Sequence, residues 1–158
     1  MNYRWFIVAR VFHVLAIVVW IGGVALVTTV IFPIMRRRDS NEQKVRLFQQ
    51  IESRFRRQAG AAWLIVGVSG FYMVASLKAW DRFVSIHYWW MDAMVALWLL
   101  FGSMLFIIEP LVVGPRLVKE LRSKPDRALT RIEGLHWILL TLSLLVIAAV
   151  VAGVHGWF

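Results

Sequence analysis

Cysteine is absent from all 158 residues. That absence excludes disulfides, zinc–thiolate sites, iron–sulfur clusters, c-type haem attachment and thiol catalysis. Charge is sparse as well. Only 17% of residues are Asp, Glu, Lys or Arg, against about 25% in an ordinary soluble domain. Acidic residues are the scarcer sign, nine against 18 basic, for a net charge of +9. There is no solenoid-type repeat and no low-complexity segment. What is abundant is apolar: 60% of the chain is hydrophobic. This composition excludes an ordinary soluble enzyme, a disordered tail and a nucleic-acid-binding domain with an oily core.

A bilayer core of roughly 30 Å takes about 20 apolar residues of helix to cross. Four stretches meet that length, at about 5–35, 59–77, 88–113 and 135–158. They predict an all-α integral membrane protein. Residues 1–158 form a single domain, a four-transmembrane-helix bundle with extended or amphipathic cytoplasmic segments. The first stretch is too long for a cleaved signal peptide and lacks a small-residue cleavage site, so it reads as a span.

The basic residues predict the orientation. Arg36, Arg37, Arg38, Lys44, Arg46, Arg54, Arg56 and Arg57 lie between the first two spans. Arg116, Lys119, Arg122, Lys124, Arg127 and Arg131 lie between the last two. These 14 basic residues are accompanied by six acidic ones, so the two segments hold +8 of the +9 charge. Positive segments stay cytoplasmic, which puts both termini outside, in the periplasm of a bacterial host. The charge is thus a topology signal and an attraction to anionic lipid headgroups, and nucleic acid is not an expected partner. Phe48, Ile51 and Phe55 recur at helical spacing in one segment, as do Leu117, Val118 and Leu121 in the other. Each set predicts either an extension of a span or a helix lying on the headgroups.

Tryptophan follows the same geometry. Trp5, Trp80, Trp89, Trp90 and Trp157 fall near the outer boundary, and Trp63 and Trp137 near the inner one, as interfacial belts do. Trp20 and Trp98 fall near mid-membrane, to pack helices or to wall a flat ligand.

Ionisable groups inside spans are costly and mark candidate sites. His13, His87 and His155 all fall on the outer side, on three different spans, and His136 on the inner. His136 and His155 are 19 residues apart, about 28 Å along a helix, so they cannot serve one site. Measured from Met35, His13 stands about 33 Å up its helix, level with His155. Measured from Trp5 it lies about 12 Å deep, well below it. Three outer imidazoles suit haem iron or copper. Arg10, one turn from His13, is placed to fork onto a haem propionate, to pair with Asp92 at similar depth, or to snorkel to the headgroups. Glu109, before Pro110, has Arg116 or the inner basic segments to neutralise it and no second acidic partner in view.

The first span reads His13-Val-Leu-Ala-Ile-Val-Val-Trp20-Ile-Gly22-Gly23, with Pro33 near its end. This resembles the opening of CopD-like (copper-resistance D) integral membrane proteins and of the related HemJ-type haem membrane proteins. Arg54-Phe-Arg-Arg57 before the second span, and the closing Gly153-Val-His155-Gly156, are similar to those families too. The third span departs from their pattern: Trp90-Met-Asp92-Ala-Met94 has no lysine where they tend to carry one. The resemblance implies handling of haem b or copper in a bacterial inner membrane, with His13 the one ligand that carries over.

Three functions are therefore in view. The first is a b-type haem protein with an electron-transfer or redox role, its haem near the periplasmic side between His13, His155 and His87. A haem-dependent oxidoreductase working with a quinone or a redox protein is one form of it. The second is copper handling of CopD type, for which six scattered methionines form no outer cluster. The third is a non-catalytic subunit of a homo- or hetero-oligomeric membrane complex.

Overall fold

The computed structural model describes residues 3–37, 40–113, 119–120 and 123–157. Among these the chain is helical with connecting turns and has no strand. Helix α1 (Tyr3–Leu26) passes through a widened π-helical segment, Val27–Ile31, into the short α2 (Phe32–Arg36). Pro33 accounts for the widening. It has no N–H to donate, and its ring would strike the carbonyl four residues back, at Thr29. Thr28 and Thr29 bond back through their hydroxyls to the carbonyls of Val24 (2.7 Å) and Ala25 (2.8 Å), which leaves no bare hydroxyl in an apolar stretch.

Helix α3 (Asn41–Leu77) is 37 residues long, about 55 Å. Ser40 caps it, its Oγ accepting the Gln43 N–H at 3.2 Å. Lys78 ends it in the left-handed region (φ 51°), where its N–H and that of Ala79 reach back to Ala75 and Val74. Two short 3₁₀ turns, Trp80–Val84 and Ile86–Tyr88, lead into α4 (Trp89–Ser103). The third span then widens as α1 does, over Met104–Val113 around Pro110. Helix α5 (Pro125–Val154) closes the fold. Among the described residues, four stretches are long and apolar enough to cross a membrane: Tyr3–Arg36, Asn41–Leu77, Ile86–Leu111 and Asp126–Val154.

Two helix starts lie earlier than the apolar runs predict. α3 begins at Asn41 rather than near Ala59, and α5 at Pro125 rather than near Leu135. The segment before Ala59 is amphipathic. Val45, Phe48, Ile51 and Phe55 turn into the molecule, while Arg46, Arg54 and Arg57 stay exposed, so α3 continues without a break. Leu117, Val118 and Leu121 lie outside the described residues, as do Arg38, Arg116 and Arg122. Ion pairs hold the basic end together. Arg36 meets Glu133, and the buried Lys44 meets Asp126 at 3.0 Å.

α1 lies along α3 and α4 along α5, with further contacts between α1 and α5 and between α3 and α4. The core inside this ring includes Trp20 and Val24 from α1, Ala59 and Ala62 from α3, Phe101 from α4 and Leu140 from α5. The outside is as apolar as the inside: Val18, Val68 and Leu145 are each more than 60% exposed.

The α3–α4 contact is a reciprocal tryptophan clasp. Trp63 Nε1 donates to the Trp98 carbonyl at 2.8 Å, and Trp98 Nε1 donates to the Trp63 carbonyl at 3.0 Å. The two indoles stack at 4.2 Å with 4° between their planes. Only glycine admits them. A Cβ on Gly67 would lie 2.6 Å from the Trp98 ring, and one on Gly102 would lie 2.5 Å from the Trp63 ring. Beyond its expected place near the inner boundary, Trp63 is thus a helix-packing residue. Its N–H is spent on the next helix.

Candidate functional site

His13 stands on α1 facing α3. Its Nδ1 lies 3.1 Å from the Val66 carbonyl and 3.0 Å from Ser69 Oγ. A carbonyl only accepts, so Nδ1 carries the hydrogen, and in the neutral ring the lone pair sits on Nε2. Ser69 gives its own hydrogen to the Ile65 carbonyl, which leaves its oxygen free to accept from His13. The ring rests on Gly70, where a Cβ would come within 3.2 Å of Cε1. Three features of α3 thus fix one imidazole: a carbonyl, a hydroxyl and a missing side chain.

The other outer candidates are looser. His87 is exposed in the second 3₁₀ turn. His155 is exposed just beyond the end of α5, its Nδ1 2.7 Å from the Val151 carbonyl. Among the described residues no group of three or more His, Cys, Asp or Glu is placed to hold a metal ion. The three histidines are therefore not gathered as a three-ligand centre. Arg10 and Asp92 are both exposed, and no ion pair joins them among the described residues. Asp92 has a local role instead, as the acidic residue in the first turn of α4, where it complements the helix dipole. Trp20 is buried and meets Phe101 edge to face at 4.8 Å. It packs helices and also walls a cavity.

That cavity, of about 180 Å³, lies in the half of the bundle nearer the basic end. Its walls are largely apolar, with the aromatic Trp20, Phe32, Phe55, Trp63 and Phe101 among them. Four polar side chains reach it: Glu52 and Arg56 from α3, Glu109 from the widened third span, and His136 from α5. The carboxyl groups of Glu109 and Glu52 are neighbours on the cavity wall, and Glu52 in turn lies 3.9 Å from Arg56. His136 Nδ1 sits 2.9 Å from the Ile132 carbonyl, and its ring meets Phe32 edge to face at 5.0 Å.

The sequence reading gave Glu109 no acidic partner, yet it has one. An extension of the span and a helix on the headgroups both remain open in the sequence, and only the first turns Glu52 toward the third span. With α3 continuous from Asn41, residues 48, 52, 55, 56, 59 and 63 fall on one helical face, the face that borders the cavity. His136, too far along α5 to join His155, faces this cavity instead. The usable signal was the apolar period of Phe48, Ile51 and Phe55, carried forward to the charged residues between them.

No family model matches the chain, nor does any curated protein or solved structure.

Proposed function

We propose that this chain is a four-span protein of a bacterial cytoplasmic membrane that holds a b-type haem through His13, toward the periplasmic side, in an electron-transfer or redox role. The observation that carries the reading is the pinning of His13 Nδ1 by Val66 and Ser69. Imidazoles that ligate metals characteristically give the other ring hydrogen to a carbonyl or similar acceptor, which fixes the tautomer and aims Nε2. Exposed His155 and His87 are the candidate second ligands. Arg10, one turn from His13, supplies a guanidinium for a propionate. When bound, the haem would supply one-electron chemistry. The protein's part is to aim His13 and keep the surroundings apolar. The exposed apolar faces of all four spans support burial in lipid, and the basic segments support a cytoplasmic location for the α2–α3 and α4–α5 connections.

The test is the absorption spectrum of purified protein, oxidised and reduced, after growth with ample haem precursor. A Soret band with sharp α and β bands on reduction is expected, and His13→Ala should lose at least nine-tenths of the bound haem. A colourless protein that carries copper would replace this reading with copper handling. A colourless, metal-free protein that co-purifies with a membrane complex would replace it with a subunit role. Full haem occupancy in His13→Ala would remove His13 from the site.

A further inference from the structure

The cavity between Glu52, Glu109 and His136 is not used by a haem on His13, and its chemistry is specific. Two neighbouring carboxyl groups on one cavity wall favour one shared proton, because two carboxylates repel each other and have no donor. That leaves a single negative charge, and Arg56 stands beside it at 3.9 Å from Glu52. The polar end of the cavity is therefore close to neutral overall. It offers no net attraction to a lipophilic cation, and its second carboxyl group disfavours a fatty-acid head. A neutral occupant with hydrogen-bonding oxygens is what remains.

Size and walls narrow the choice. A cavity of about 180 Å³ falls below the roughly 300–1,000 Å³ of pockets that enclose a drug-sized molecule. It has room for one or two fused rings, with any tail leaving between helices. Trp20, Phe101 and Trp63 present flat apolar walls to such a ring. The carboxyl pair holds a proton to donate. His136, whose Nδ1 hydrogen is committed to the Ile132 carbonyl, keeps Nε2 as an acceptor in its neutral form. A carbonyl oxygen matches the first group and a ring hydroxyl the second.

We infer that this cavity is a binding site for the head ring of a lipid-soluble quinone, held between the Glu52–Glu109 carboxyl pair and His136, with the aromatic walls flanking the ring. The dione form takes the carboxyl proton's hydrogen bond in place of Glu52, whose carboxylate keeps Arg56 beside it. The dihydroxy form donates to His136. The site is separate from His13, so it stands or falls independently of haem.

The experiment is equilibrium binding of decylubiquinone to the full-length protein in detergent, followed by quenching of its own tryptophans. Saturable binding is expected. Glu109→Leu, which removes the proton-sharing pair, should weaken it at least tenfold. So should Ile108→Phe, which adds bulk at the cavity edge where Ile108 is already partly exposed. Leu145→Phe, on an outward face of α5, should bind as the parent does. If Glu109→Leu loses its helical circular dichroism, Ile108→Phe alone decides. The inference is overturned if the parent shows no saturable binding, or if all three variants bind equally. It is also overturned if tetraphenylphosphonium or laurate binds more tightly than the quinone with the same sensitivity to the variants. His13→Ala should keep quinone affinity, and Glu109→Leu should keep the haem spectrum, so the two sites fail separately.

Discussion

Glycine has opposite meanings at different positions in this chain. Gly102 and Gly67 are seats for the two clasped indoles, and an added methyl at either meets a ring at about 2.5 Å. Gly102→Ala should therefore cost about 1–3 kcal/mol, the range for overfilling a packed site, and lower the midpoint of unfolding in detergent. Gly22 faces open space, so Gly22→Ala should leave the midpoint unchanged or raise it, as a better helix former does. If both substitutions behaved alike, the clasp would not be the reason for glycine at 102. At this scale the sequence was legible in part. The requirement that His13 have a partner followed from the cost of a bare imidazole in an apolar helix, and Val66 and Ser69 supply that partner. Which residues they would be did not follow, because their register against α1 depends on how two featureless apolar helices slide along each other. The pairing of Trp63 with Trp98 did not follow for a related reason: an indole at a lipid boundary and an indole in a clasp look identical in a sequence.

Of the two expectations for the segment around Phe48, Ile51 and Phe55, an extension of the span or a helix on the headgroups, α3 realises the first. Fourteen basic residues lie in two segments, and α3 runs through its share of them unbroken. Helix period decides the matter, and it was visible at Phe48, Ile51 and Phe55. What the period could not reveal was that Glu52, on the same face, would meet Glu109 from a helix 57 residues on. If α3 is one rigid element from its cap, amides from 45 to 58 should exchange slowly and continuously with those of the following apolar run. Ser40→Ala should remove a cap worth about 1 kcal/mol and speed exchange in the first two turns alone. Fast exchange across 45–58 in the unmodified protein would contradict a continuous helix. The two prolines act in the same physical way, each widening the turns before and around it, and Pro110 does so where Glu109 approaches the cavity.

For the molecule as a whole, the count of apolar runs was enough to anticipate four long helices. The topology proposed from charge can be tested directly, since a chain without cysteine has no background labelling. Ser40→Cys, beside the basic segment, should react with a membrane-impermeant maleimide only from the cytoplasmic side. Val84→Cys, 90% exposed in the parent at the opposite connection, should react only from outside. Reversed labelling would invert the topology, and with it the side on which His13 lies. A further consequence concerns the clasp. Parallel indoles held at 4.2 Å exchange excitation energy, so Trp63 and Trp98 should give a paired near-ultraviolet circular dichroism signal that either residue alone cannot produce. The protein thus carries its own optical gauge of whether α3 and α4 are shut.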